Sequence, residues 1–111
     1  MYPLYRRAVL GTLIRAGRAM STVEITDRIL ASRRITIGGD PLNSSKVAEI
    51  LRYHTRKGTV RRVSHGVYVF VPGSMARTTQ WRCERWERWY DEEQDRHAEW
   101  ARARDSLDKV D

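Results

Sequence analysis

The sequence predicts an α+β protein that is mostly α: three helices, a β-hairpin and a long C-terminal helix. Three observations lead there. Apolar residues recur at helical i, i+3, i+4 spacing in three separate stretches ahead of Gly58. Two β-branched and aromatic runs then flank a Gly-containing turn, "TVRRV-SHG-VYVFV", which is a hairpin signal. From about Met75 to Leu107 there is neither Pro nor Gly, and charges of both signs are interspersed, as in one long solvated helix, straight or kinked.

The first helix covers residues 3–16. Pro3 suits a first-turn position, and Leu4, Val9, Leu10, Leu13 and Ile14 supply the apolar face. Gly17 ends it. After the short extended link "RAM", Ser21 opens the second helix. Ser21 and Glu24 make a capping box with Met20 as staple residue. Val23, Ile25, Ile29 and Leu30 are its apolar positions, and the pattern fails near Ser32. Residues 33–42, "RRITIGGDPL", read as an ordered loop or arm with a short strand in "RITI" and turn punctuation in "GGDP". Asn43 or Ser44 caps the third helix and Gly58 terminates it. Val47, Ile50, Leu51 and His54 form its inner face, so His54 is expected in the core. Pro72 and Gly73 stop the hairpin's second strand. The predicted organisation is a domain over residues 1–74 followed by a C-terminal helix over 75–111.

At 111 residues the chain has room for one modest core. Its single cysteine, Cys83, excludes an intrachain disulfide framework and points to a reducing compartment. There is no 18-residue apolar run for a membrane span. The start, "MYPLYRRAVLGTLIRAG", lacks the uninterrupted apolar block of a signal peptide. A cytoplasmic, nucleoid-associated location is expected.

The net charge of +7 calls for a polyanionic partner. Residues 1–80 hold fourteen Lys+Arg against four Asp+Glu, and residues 81–111 hold seven against ten. The basicity therefore belongs to the first part. Eighteen of the 21 basic residues are Arg, which suits phosphate and guanine recognition and equally a GC-rich codon usage.

The stretch "ILRYHTRKGTVRRVSHGVYVFVP" runs a helix with a polar, basic outer face straight into a basic hairpin. With the capped helix before it, this order resembles the winged helix-turn-helix superfamily of DNA-binding domains over roughly residues 4–72. The resemblance implies that the third helix enters the major groove, whose edges distinguish all four base pairs. Asn43, Ser44, Ser45, Lys46 and Glu49 would read bases. Arg52, Tyr53 and Arg56 would touch the backbone, and Arg61, Arg62 and His65 of the wing would reach phosphates or the minor groove. A compact helix-turn-helix has a turn of about 3–4 residues. Here about ten residues separate the second and third helices, adding Arg33 and Arg34 as a further backbone contact.

No catalytic or metal chemistry is expected. One Cys and three His (His54, His65, His97) lie on three different elements, and no phosphate-binding glycine loop is present. No cofactor is implied.

All four tryptophans fall in "WRCERWERWYDEEQDRHAEW". On a helical wheel Trp86, Trp89, Tyr90, Glu93, His97, Trp100, Arg104 and Leu107 share a stripe about 100° wide, with Trp81 outside it and expected on the core. A helix of about 33 residues would be about 50 Å long, against about 25–30 Å for the preceding domain. Its second half projects unless it folds back near residues 91–95. A projecting apolar stripe calls for a partner, and the simplest is a second copy of the chain. An antiparallel pairing sets Glu93 against Arg104′, His97 against Trp100′ and Tyr90 against Leu107′. Base stacking by the tryptophans is disfavoured by the acidity of residues 81–111. The expected function is a small dimeric transcriptional regulator, a repressor, that binds double-stranded DNA. The alternatives are an architectural, weakly specific DNA-binding protein and a protein–protein adaptor.

Overall fold

The computed structural model describes residues 3–32, 36–37 and 40–108. Its elements are α1 (Pro3–Ala16), β1 (Met20–Ser21), α2 (Thr22–Ser32), β2 (Thr36–Ile37), β3 (Asp40–Pro41), α3 (Ser44–Lys57), β4 (Val60–Ser64), β5 (Val67–Phe70), α4 (Arg77–Glu84) and α5 (Trp86–Asp108). The protein is thus mostly helical with a small three-stranded antiparallel sheet in the order β1-β5-β4.

The helix boundaries follow local chemistry. Gly17 closes α1 with a left-handed backbone (φ 63°) and donates to the Leu13 carbonyl at 3.2 Å. The Ser21 hydroxyl accepts the Glu24 N–H at 3.1 Å, while the Glu24 carboxylate turns to Arg18 at 2.5 Å instead of back to the cap. Only half of the expected capping box therefore forms, because a charge-assisted bond to a guanidinium outcompetes one to a backbone N–H.

Val9, Leu10 and Leu13 of α1 pack with Ile25 and Ile29 of α2 and Val47 and Leu51 of α3, all fully buried. On α2 the inner face is Ile25, Thr26 and Ile29; Val23 and Leu30 point outward at 57% and 36% exposure. Between α2 and α3, β2 and β3 pair antiparallel (Thr36 with Pro41, Ile37 with Asp40), and buried Leu42 pins the end of this arm to the core.

The extended link after α1 is itself a strand. Met20 pairs with Tyr68 and Ser21 with Val67, and the Thr22 N–H donates to the Gly66 carbonyl at 3.0 Å. The start of α2 is thereby tied to the β4–β5 hairpin. No sequence signal marks this strand, which is two residues long.

The C-terminal segment departs most from expectation. The helix breaks at Arg85, whose ψ of 22° lies far from the helical value of about −42°. Cys83 before the break and Trp86 after it both pack on α1 beside Gly11, at 1% exposure each. Trp86 therefore leaves the association stripe and joins the core. Trp81, expected on the core, stands 54% exposed with the Arg85 guanidinium 4.7 Å from its ring centre. The burial of Trp86 is favourable even with its N–H unpartnered. Burying a tryptophan removes about 150–250 Å² from water, ~4–6 kcal/mol at ~25 cal/mol per Å². That exceeds the ~1–3 kcal/mol cost of an indole N–H that finds no hydrogen-bond partner among the described residues. Beyond the break α5 is continuous for 23 residues and does not fold back at 91–95. It gives the molecule its long axis of 61 Å against 28 and 22 Å.

Candidate nucleic-acid interface

Helix α3 is held by its inner face. Val47, Ile50, Leu51 and His54 are buried, which turns the opposite side outward. At about 100° per residue Ser45, Glu49, Arg52 and Arg56 fall within about 60° of one another, with Lys46 and Tyr53 flanking them. The first four are exposed; Lys46 and Tyr53 are half-buried.

At the N-terminus the Asn43 side-chain oxygen accepts the Lys46 N–H at 3.0 Å. That oxygen is committed to capping, which leaves the carboxamide NH₂ as Asn43's free group for a ligand. Ser44 is half-buried beside it. At the C-terminus Gly58 (φ 82°) donates to the His54 and Thr55 carbonyls. This left-handed cap lets the chain run directly from α3 into β4.

Tyr53 is packed on two sides: Lys57 Nζ lies 5.5 Å from its ring centre, and its ring meets that of His54 edge-on at 5.1 Å. His54 sits at 5% exposure, and neither ring nitrogen has a hydrogen-bond partner among the described residues. Burial, reinforced by Arg6 and Lys57, pushes its pKa down to about 4, so it is neutral near pH 7. It is a core residue, as its position on the wheel suggested.

In the hairpin, Gly66 (φ 71°) makes the turn between β4 and β5. Arg61, Arg62 and His65 are all exposed. Arg62 and His65 form a pair 2.9 Å apart, and because a guanidinium can only donate, His65 Nδ1 accepts. Arg62 Nε also donates to the Ser64 carbonyl at 3.3 Å. Arg61 points to the other face of the sheet, since successive strand residues alternate. It lines a groove with Arg18, Gln80 and Glu84, between the hairpin, the end of α1 and α4. The two wing arginines are therefore not brought together.

Residues 43–65 carry six Lys+Arg against the single carboxylate of Glu49. Lys46, Arg52, Arg56 and Arg61 make no ion pair with the other described residues, whereas Arg15, Arg18, Arg88 and Arg96 are paired with Glu87, Glu24, Glu92 and Glu93. Arg33 and Arg34 lie outside the described residues.

The C-terminal stripe splits in two. Trp86 is buried, while Trp89 and Tyr90 are half-buried, Tyr90 against the core and Trp89 under the Arg7 guanidinium at 4.8 Å. Further along, His97, Trp100 and Arg104 are exposed, Trp100 by 63%, with the Arg104 guanidinium 5.4 Å from the Trp100 ring. Glu93 pairs with Arg96 on the same helix. The Leu107 side chain lies outside the described residues. Among those residues no helix is long and apolar enough to cross a membrane.

These features define the protein as a mostly helical α+β chain with a basic surface on α3 that makes no ion pair among the described residues and an exposed aromatic end on α5. It matches no protein-family profile, no curated protein and no solved structure.

Proposed function

We propose that the protein is a winged helix-turn-helix, sequence-specific double-stranded DNA-binding protein that acts as a small dimeric transcriptional repressor. The observation that carries this reading is the outer face of α3. It is a cationic surface that makes no ion pair among the described residues, continuous in sequence with a basic hairpin, on a helix whose inner face is locked in the core. In this reading α3 lies in the major groove, where Ser45, Lys46 and Glu49 meet base edges. Arg52 and Arg56 hold phosphates further along. Arg62 with His65 at the hairpin contacts the backbone or the minor groove, and Arg61 reaches it from the other side of the sheet.

Dimerisation is proposed through the projecting half of α5, with Glu93 facing Arg104′ and His97 facing Trp100′ in an antiparallel pair. Trp86, Trp89 and Tyr90 are engaged with their own domain, so the seam is shorter than the sequence stripe. What supports it is the 63% exposure of Trp100 on a helix that extends past its core.

The test is selection of bound fragments from genomic DNA, followed by charge reversal of Lys46, Arg61 and Arg62, all surface residues. Loss of retention on the selected duplex, with unchanged melting, supports the reading. Retention unaffected by all three reversals sinks it and favours a protein–protein adaptor.

A further inference from the structure

Where α1, α4 and α5 meet, a cleft of about 400 Å³ is lined by Trp81 and Trp89 and by Arg7, Arg82, Arg85 and Arg88. The Arg7 guanidinium lies over the Trp89 ring and that of Arg85 over Trp81, at 4.8 and 4.7 Å. One carboxylate, Glu92, also borders the cleft, and it is bound by Arg88 at 3.2 Å. Arg7, Arg82 and Arg85 make no ion pair with the other described residues.

The acidity of the C-terminal segment lies mostly to one side of this place: Glu92 borders the cleft, and Glu84, Glu87, Asp91 and Asp95 line a neighbouring pocket that shares Arg85, Arg88 and Glu92 with it. Of the ten carboxylates in residues 81–111, only Glu84 and Glu87 precede Asp91. Glu87 is paired with Arg15, and Glu84 also borders the groove beside Arg61, so neither lines the cleft itself. Arg7 comes from α1 and adds to the three arginines of the tryptophan segment. On α4 Trp81 lies about 160° around the helix from buried Cys83, which turns it away from α1 and toward the cleft.

We propose that this cleft binds a nucleotide unit, with the base stacked on the exposed Trp81 ring and the phosphate held by Arg7, Arg82 and Arg85. Aromatic faces and guanidinium planes are the surfaces on which unpaired bases stack, and arginine forks match phosphate oxygens. Duplex DNA offers no free base face, so the ligand is a free nucleotide or a single-stranded nucleic acid. The site shares no residue with α3 or the hairpin and stands whether or not those elements bind duplex.

The full chain is titrated with a fluorescently labelled short oligodeoxyadenylate and, separately, with dAMP. Trp81→Ala and Arg85→Ala are each expected to weaken binding of the responsive probe about tenfold or more, with melting temperature unchanged because both side chains are exposed. Arg52→Ala on α3 is expected to leave that affinity within about twofold, a change too small for a lost stacking contact. Binding of dAMP that displaces the oligonucleotide identifies a nucleotide site; binding of the oligonucleotide alone identifies a single-strand site. The proposal is overturned if neither probe binds, or if affinity survives Trp81→Ala, whatever Arg52→Ala does.

Discussion

Gly11 and Cys83 touch so closely that a Cβ on Gly11 would sit 2.0 Å from the Cys83 carbonyl oxygen and 2.8 Å from Trp86 Cδ1. The missing side chain is what lets α1 receive both α4 and the first turn of α5. In an isolated helix Gly→Ala stabilises by about 1 kcal/mol. Here the sign reverses, because the obstacle is backbone and cannot rotate away. Gly11→Ala should lower stability by at least the ~1–3 kcal/mol of ordinary core overpacking. Chemical denaturation measures this. Alkylation of Cys83 gives a second readout: burial holds this thiol's pKa above its ordinary value in the native fold, and Gly11→Ala should make it react faster.

His54 predicts a pH dependence. Its pKa falls from 6.5 unfolded to about 4 folded, so between those values the unfolded chain takes up a proton that the folded one refuses. Stability is therefore fully present above about pH 6.5 and declines as pH falls toward 4, by no more than about 3 kcal/mol from this group. His54→Leu should flatten the slope of unfolding free energy across that window. It should also be no less stable at pH 7.5, since it removes two ring nitrogens without partners among the described residues. An unchanged slope would refute this account of His54.

Asn43→Ala removes the cap on the Lys46 N–H and should cost about 1 kcal/mol, about 4–8 °C in melting temperature for a domain of this size. Asn43→Asp should restore most of it, because a carboxylate caps equally well. Thermal unfolding followed by circular dichroism separates these outcomes.

The α5 pairing makes a charge-swap prediction. Glu93→Arg alone should shift the protein to monomer in light scattering at tens of micromolar. Adding Arg104→Glu should restore the dimer, as only an antiparallel register brings those positions together. The intrachain partners, Arg96 for Glu93 and the Trp100 ring for Arg104, are exposed contacts. Such pairs are worth about 0–1 kcal/mol, so exchanging them for partners on a second chain costs little. Trp100→Ala should also give monomer while leaving the melting of the N-terminal core unchanged.

The element order, the caps at Ser21, Asn43 and Gly58, the hairpin turn at Gly66 and the inner face of α3 were all legible in the sequence. Each depends on interactions within a few residues, where spacing and residue type dictate geometry. The basic outer face of α3 was legible for the same reason, since fixing Val47, Ile50, Leu51 and His54 inward leaves the other side no choice. The sequence left a kink in the C-terminal helix open but did not place it at Arg85, which has neither Pro nor Gly to mark it. It also carried no sign that a two-residue link would become the third strand, whereas the alternation of the predicted hairpin already set Arg61 and Arg62 on opposite faces. The fate of the tryptophans belonged to tertiary structure altogether. A single wheel through residues 81–107 puts Trp86 on an outer stripe. The gap left by Gly11, seventy-five residues earlier, receives it inside, next to Cys83. Trp81, on the far side of α4 from Cys83, is left at a cleft of arginines, and Trp100 stands exposed further along α5.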